Sequence, residues 1–194
     1  MLLFAPMKIK NNLLSYNNKL ETRDLSIVDT LVIHCTELPN LELAREFGEE
    51  IHYASGTGNS GHFYIDKDGQ VEQWVKINRI AHHVSSHNQN SIGIELSNLG
   101  RFPHWHKTTS QIMYDDYPEA QINTLNKLII HLEKQVPSLK YITGHEDLDK
   151  RTIPSSDNPE ILIRRKMDPG HLFPWEHVLQ STQLEYNGDF GDLK

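Results

Sequence analysis

The sequence predicts a single α/β domain, with a mixed central β-sheet flanked by α-helices. Three observations lead to this fold class: short β-branched runs, a pair of alternating runs around a turn, and one long segment with helical spacing of its apolar residues. Because strand and helix patterns alternate along the chain, helices packed on the faces of one sheet are favoured. The length of 194 residues is typical of one domain.

The first strand signals lie in the N-terminal half. Leu31-Val32-Ile33 is a β-branched run typical of a buried strand, and it leads to His34 and Cys35. Alternation along that strand places Cys35 on the face opposite His34, where we expect a small buried apolar residue. Residues 62–75 contain an alternating run on each side of Asp68-Gly69, which predicts a β-hairpin.

Further elements follow in the second half of the chain. Residues 91–96 predict a strand whose isoleucine and leucine side chains share one face, so Glu95 points to the other face. Residues 118–136 begin with proline and carry apolar residues at three- and four-residue steps, which predicts the strongest helix. A short strand at 141–143 and a C-terminal helix at 174–179 complete the predicted elements.

Composition excludes several classes of protein. The net charge is -7, and no basic stripe supplies the charge needed to bind a nucleic-acid backbone. No apolar run approaches the roughly 18 residues of a membrane span, so we expect no membrane insertion. The single cysteine excludes an internal disulfide framework. The informative excess is histidine, of which there are 12.

Three side chains stand where a strand ends or a turn begins: His34, His145 and Asp168. Taken singly, a histidine after a strand is more often a hydrogen-bonded structural residue. Asp168 before Pro169-Gly170 is typical of a simple turn. There is no His-Glu-x-x-His helix and no cysteine-rich spacing, so spacing alone is weak support for a zinc site.

The residues around these positions carry more information than the spacing. Four short motifs occur in order: Leu31–Thr36, Ser91–Leu96, Gly144–Asp147 and Lys166–Gly170. Together they resemble the zinc-dependent N-acetylmuramoyl-L-alanine amidases, which include cell-wall-recycling amidases, phage lysozyme amidases and peptidoglycan recognition proteins. Two further segments, 61–69 and 79–83, fit the same family. The resemblance extends over roughly residues 30–180 and implies a zinc site at one end of the sheet.

The resemblance also implies a role for each matching residue. His34, His145 and Asp168 match the zinc ligands of the family. Glu95 matches the catalytic acid/base of the recycling-type amidases, and Lys166 matches the residue that stabilises the transition state. An aspartate as third ligand follows the bacterial pattern, which indicates a working enzyme.

Elementary chemistry agrees with these implied roles. A catalytic zinc ion takes three protein ligands and keeps one position open for water, whose pKa falls to about 7. Glu95, on the polar face of its strand, can then transfer the proton if it lines the same cleft. Lys166 lies two residues before Asp168, so both side chains share one side of an extended segment. The alternatives are a solvated Glu95 and a basic surface run at 164–166.

Two other histidines and one loop each have more than one interpretation from the sequence. His83 takes the place of the family's substrate-groove histidine, and His62 is expected to orient the metal site or the substrate. Ordinary packing is the alternative for both. Residues 146–165 form a long polar loop, longer than in compact family members, which is a lid, a specificity loop or an insertion.

The domain boundaries and the compartment follow from the same analysis. We expect an N-terminal arm at 1–26, the zinc amidase domain at 27–182 and a C-terminal tail at 183–194. A secretory signal begins with positive charge, followed by about 7–15 apolar residues. Here the apolar residues precede Lys8. We therefore expect a cytoplasmic protein, unless a leader has been removed.

The function implied by the resemblance is hydrolysis of the amide between N-acetylmuramic acid and L-alanine of the peptide stem. The expected partner is a muropeptide or peptidoglycan substrate, including 1,6-anhydro forms during cell-wall recycling, and the cofactor is Zn²⁺. Two alternatives stay open: a phage-type endolysin that acts on intact peptidoglycan, and a recognition module without catalysis. The sequence does not determine the oligomeric state.

Overall fold

The computed structural model describes residues 7–188, which are built around a seven-stranded mixed sheet. The strands in chain order are β1 (Lys10–Asn11), β2 (Thr30–Cys35), β3 (Phe63–Ile65), β4 (Val71–Gln73), β5 (Ser91–Leu96), β6 (Tyr141–Gly144), β7 (Thr152–Pro154), β8 (Leu162–Arg164) and β9 (Glu185–Tyr186). The sheet order is β1-β4-β3-β5-β2-β6-β9, and β7 pairs with β8 separately. Within the large sheet only the β3–β4 pair is antiparallel. The predicted fold class is confirmed.

In the described part of the chain, four α-helices accompany the strands. They are α1 (Leu41–Glu49), α2 (Glu119–Gln135), α3 (His145–Leu148) and α4 (Trp175–Leu179). The sequence predicts Pro118 and Pro174 as the first helical residues, but both lie at the N-cap, so α2 and α4 begin one residue later than predicted. Within residues 7–188, no helix is both long enough and apolar enough to cross a bilayer.

The two faces of the sheet bury different sets of side chains. Alternation along β3 separates them, because Phe63 and Ile65 join the large core while Tyr64 between them joins a second cluster. The large core includes the buried face of α2 and the isoleucine side chains of β5. The second cluster contains Ala44 of α1. Glu95 pairs in register with Tyr64 and therefore lies on the face of the second cluster.

The described part of the predicted N-terminal arm packs against the sheet. Leu14, Tyr16 and Leu20 are almost completely buried in the second cluster. β1 pairs in parallel with β4, and β9 of the predicted tail pairs in parallel with β6. Residues 7–26 thus cover apolar surface of the sheet. The domain boundaries after residues 26 and 182 stay predictions. The remaining parts of the arm and the tail, 1–6 and 189–194, lie outside the described residues.

Residues 146–165 were expected to form an irregular loop, and that expectation is wrong. The segment contains α3 and an antiparallel pair of strands in which Ile153 lies opposite Ile163. Two contacts attach this hairpin to the rest of the protein. The side chain of Ile163 is buried, with only 5% exposed, and the Thr108 hydroxyl donates a hydrogen bond to Asp157 at 2.8 Å. Strands of three residues are too short to produce a recognisable alternation in the sequence.

Ile129 and Ile130 of α2 offer a test of where the core lies. Ile129 is 0% exposed and Ile130 is 38% exposed. We expect Ile129→Ala to lower the free energy of unfolding by about 2–5 kcal/mol, because it leaves a cavity beneath the helix. Ile130→Ala, the control, should change it by about 0.5 kcal/mol or less. Urea unfolding followed by circular dichroism measures both, and similar losses would contradict this placement of the core.

Candidate active site

The register of the parallel strands brings the predicted site residues together. His34 of β2 lies directly opposite Glu95 of β5. On the other side of β2, Ile33 lies opposite Gly144, so His145 follows at the level of His34. Parallel strands end at the same edge of a sheet, which explains why these side chains meet there.

His34, His145 and Asp168 form a buried cluster at this edge. His34 Nδ1 lies 3.0 Å from His145 Nδ1 and 3.0 Å from Asp168 Oδ2. His145 Nδ1 and Asp168 Oδ2 are also 3.0 Å apart. The three residues are 2–4% exposed. Their donor atoms are thus arranged as three ligands that one metal ion can share.

The chemistry of these donors fits a metal ion better than it fits hydrogen bonds alone. Two imidazole nitrogens and one carboxylate oxygen each face both of the others, and no arrangement of one proton per ring satisfies all three contacts. Asp168 Oδ1 is buried and has no hydrogen-bond partner within residues 7–188. Two histidines and one carboxylate are a donor set that zinc accepts at about 2.0–2.2 Å.

Backbone contacts hold the segment that carries Asp168. Its carbonyl oxygen accepts a hydrogen bond from the Glu146 N–H at 3.0 Å, and the Tyr117 hydroxyl donates to the Pro169 carbonyl at 2.7 Å. Burial alone would raise the pKa of the Asp168 carboxyl, but the charges of His145 and Lys166 hold it well below its usual range. Asp168 is therefore ionised, as a metal ligand must be.

Glu95 lies beside the cluster without joining it. Its Oε1 is 3.9 Å from His34 Nδ1, and its side chain is 15% exposed. A Cβ atom on Gly61 would come within 2.8 Å of Glu95 Cγ, so only glycine leaves space for this carboxyl. Burial, followed by the charge of Asp168, raises the pKa of Glu95 to about 8. A carboxyl in this range can both accept and release a proton near neutral pH.

Lys166 lines the same cavity as the cluster, and its backbone is held from two sides. Arg101 donates to the carbonyl oxygens of Arg164 at 2.8 Å and Arg165 at 3.1 Å. Asp149 accepts a hydrogen bond from Arg165 at 2.6 Å. The two residues that precede Lys166 are thus tied to separate parts of the fold.

A cavity of about 600 Å³ opens over these groups. His34, His145, Asp168, Glu95 and Lys166 all line it. One wall consists of a stacked ring pair, Tyr53 and His82, whose centroids are 4.5 Å apart. The cavity is large enough to bind a small ligand and places all five side chains within its reach.

The two remaining predicted site residues lie in different places. His83 lines the cavity, and its ring nitrogens contact His34 and Ser91. His62 is 0% exposed, does not line the cavity and accepts a hydrogen bond from the Gly93 N–H at Nδ1. The buried ring of His62 offers no surface to a substrate in this structure, and its expected role in orienting the metal site or the substrate stays a prediction. Cys35 is buried, as expected from strand alternation.

Comparison with known proteins identifies the family. The family described as N-acetylmuramoyl-L-alanine amidase (Amidase_2) matches residues 24–171, which is more than half of the chain. The chain belongs to this amidase family.

Two proteins of Haemophilus influenzae are related to this amidase-family chain in sequence. An uncharacterised protein is 40% identical over 81 residues, which are 42% of this chain and 63% of that protein. The 1,6-anhydro-N-acetylmuramyl-L-alanine amidase AmpD is 27% identical over 134 residues, which are 64% of this chain and 59% of AmpD. The matched region thus spans about three fifths of the length of each relative.

A solved structure supports the fold. Escherichia coli AmiD, in complex with anhydro-N-acetylmuramic acid-L-Ala-D-γ-Glu-L-Lys, superposes with a TM-score of 0.60 and 24% sequence identity. The alignment covers 80% of this chain and 57% of the AmiD chain.

Sequence reasoning missed Arg101 and Glu37, which support the site of this amidase-family chain. Arg101 is 2% exposed, and its Nε donates to Glu37 Oε1 at 2.8 Å. Glu37 follows β2, so the pair joins the end of that strand to the segment before Lys166. An arginine in a polar stretch is usually exposed, and no local pattern marks this one as buried.

The raised pKa of Glu95 predicts a pH effect on the metal-free protein. A free glutamate has a pKa of 4.5, and burial raises that of Glu95 to about 8. Between these values the folded chain binds the extra proton, so the free energy of unfolding falls as pH rises. We expect metal-free Glu95→Gln to melt at a higher temperature than the wild type at about pH 8.5, and at a similar temperature near pH 4.

The control for this comparison is Glu46→Gln, at an exposed position of α1. It should leave the melting temperature nearly unchanged at both pH values. Differential scanning calorimetry after chelator treatment measures all three proteins. If Glu95→Gln melts at or below the wild-type temperature at the higher pH, then Glu95 is not a desolvated carboxyl.

Proposed function

We propose that this protein is a zinc-dependent N-acetylmuramoyl-L-alanine amidase. It hydrolyses the bond between N-acetylmuramoyl, or its 1,6-anhydro form, and L-alanine in peptidoglycan fragments. The observation that carries the proposal is the triangle of His34, His145 and Asp168, with 3.0 Å between each pair of donor atoms. Glu95 and Lys166 share its cavity.

The metal is assigned as zinc from the chemistry of the donors. His34 Nδ1, His145 Nδ1 and Asp168 Oδ2 would hold it, and three protein donors of these types are typical of catalytic zinc sites. When bound, zinc supplies Lewis acidity that polarises a carbonyl and makes water a nucleophile near neutral pH.

The residues of the chain supply the proton transfers and part of the charge stabilisation. In the overall reaction, water adds to the amide carbon, the carbon–nitrogen bond breaks, and one hydrogen of the water ends on the leaving nitrogen. The Glu95 carboxylate accepts that proton and then donates it to the amine. The Lys166 ammonium stabilises the negative charge that develops on the carbonyl oxygen.

The substrate is proposed to be a soluble muropeptide from cell-wall recycling. The related AmpD is named for 1,6-anhydro substrates, and the AmiD structure is a complex with an anhydro-muramyl tripeptide. The cavity of about 600 Å³ accommodates a ligand of limited size. The cytoplasm, where such fragments are recycled, is the compartment we propose, and cell fractionation tests it.

Metal binding tests the ligand assignment. We expect one zinc ion per wild-type chain and none in His145→Ala, because two remaining donors do not hold the ion. Bound zinc should also raise the melting temperature, since the ligands come together only in the folded chain. Elemental analysis of dialysed protein measures the stoichiometry, with His177→Ala on α4 as the control. Stoichiometric zinc in His145→Ala would exclude this site.

Substrate turnover tests the role of Glu95. We expect Glu95→Gln to lower kcat by about 10²–10⁴-fold, because glutamine keeps the shape but transfers no proton. Zinc content should stay at the wild-type value, since Glu95 is not a ligand. The assay uses 1,6-anhydro-muramyl-L-alanyl peptides and mass spectrometry of the products. Near-normal turnover would show that another group moves the proton.

The same assay with intact sacculi separates the proposed role from an endolysin. Release of peptide from small anhydro-muropeptides but not from sacculi supports recycling. Efficient digestion of sacculi would favour the lytic alternative, and binding without any hydrolysis by the zinc-loaded wild type would favour a recognition module.

A further inference from the structure

A chain of hydrogen bonds starts at His34 Nε2, the ring nitrogen that does not belong to the donor triangle, and ends at the protein backbone. His34 Nδ1 is one of the three donor atoms of the triangle. The other ring nitrogen, His34 Nε2, lies 2.9 Å from His83 Nδ1. The other nitrogen of His83, Nε2, lies 3.2 Å from Ser91 Oγ. Ser91 Oγ in turn donates to the His87 carbonyl oxygen at 2.6 Å. Three side chains thus connect the site to the backbone.

The positions of the protons follow from the two ends of this hydrogen-bond chain, the metal-ligand nitrogen of His34 and the carbonyl oxygen of His87. A metal ligand offers a lone pair, so His34 Nδ1 is bare and the ring carries its hydrogen on Nε2. That hydrogen is donated to His83 Nδ1, which leaves the His83 hydrogen on Nε2. It is donated to Ser91 Oγ, whose own hydrogen goes to the carbonyl of residue 87. Each donor therefore has one acceptor, and only one direction is consistent.

Contacts with the backbone hold the ring of His83 in the orientation that these hydrogen bonds require. Asn88 Oδ1 accepts hydrogen bonds from the backbone N–H groups of His83 at 3.0 Å and Val84 at 2.8 Å. A Cβ atom on Gly93 would lie 2.6 Å from His83 Nδ1, so the ring packs directly on the backbone of β5. The His34 and His83 rings meet edge to face, with centroids 5.1 Å apart.

We infer that His83 is a positioning residue that fixes the orientation and tautomer of the metal ligand His34, with Ser91 as its anchor. This inference rests on the proposed metal site, and it assigns both ring nitrogens of His83 to contacts within the protein. Both nitrogens of His83 are occupied within the protein, so neither is left to contact a substrate.

The consequence is a gain in metal affinity. An acceptor on the far nitrogen of a ligating histidine orients the ring and raises its basicity, and loss of such a partner weakens metal binding by about 10–100-fold. The effect belongs to the metal-binding equilibrium, so it is measurable without substrate.

Zinc affinity of four full-length proteins tests the inference. Competition with a chromophoric chelator gives Kd for the wild type, His83→Leu, His83→Asn and the control His131→Leu, at an exposed position of α2. We expect His83→Leu to bind zinc about 10–100-fold more weakly. His83→Asn should recover most of the affinity, because its Oδ1 occupies the position of the lost Nδ1 acceptor. The control should match the wild type.

A second measurement reads the tautomers directly. In zinc-loaded protein with ¹⁵N-labelled histidine, the wild type should show the Nε2–H tautomer for both His34 and His83. Ser91→Ala should perturb the His83 signals, because its Nε2–H loses the hydroxyl acceptor. This spectrum remains informative if His83→Leu fails to fold, which the melting curve of the metal-free protein would reveal.

The outcomes separate this inference from the proposed function. Equal zinc affinity of the wild type and His83→Leu would overturn the positioning role and leave the metal site intact. Equal weakening in His83→Leu and His83→Asn would also overturn it, because ring shape rather than the acceptor would then matter. A wild-type protein that binds no zinc would overturn the proposed metal site, and the positioning role with it.

Discussion

Parallel pairing of β2 with β5 on one side and β6 on the other is the constraint on which the site depends. The register of these two ladders sets His34 opposite Glu95 and carries His145 to the level of His34. A shift of one residue in either ladder would turn the paired side chain to the other face of the sheet. The same ladders bury the isoleucines of β2 and β5, so the apolar core and the polar site specify one register together.

Several buried charged groups of the fold are tolerated because each has a defined hydrogen-bond partner. Arg101 is buried between Glu37 and two backbone carbonyls, and Arg23 is buried against the carbonyls of residues 77, 88, 89 and 91. Asp168 Oδ1, Arg164 Nε and Ser60 Oγ are buried without a hydrogen-bond partner within residues 7–188, and burial raises the pKa of the Glu95 carboxyl to about 8. Groups left in this state reduce stability and occur where chemistry needs them. The large apolar core opposite compensates for that cost.

Long periodic elements were predictable, and short ones were not. The strand at 91–96 and the helix near 118–136 were recognised because each presents several apolar residues on one face. β1 and β9 contain two residues each, and β7 and β8 contain three, which is too short for any pattern to emerge. Their strand conformation comes from pairing with a neighbour that is distant in sequence, so it is decided by tertiary contacts.

The sequence by itself determined the fold class, the main strands, the face on which Glu95 lies and, through family motifs, which residues to group as one site. Only the tertiary structure decided how that group is supported. His34 and His83 are 49 positions apart, and Arg101 and Arg165 are 64 apart, yet each pair is in hydrogen-bond contact. Local patterns report which face a residue occupies, because that depends on helix and strand geometry. They do not report which distant side chain lies against it, because that depends on how the elements pack.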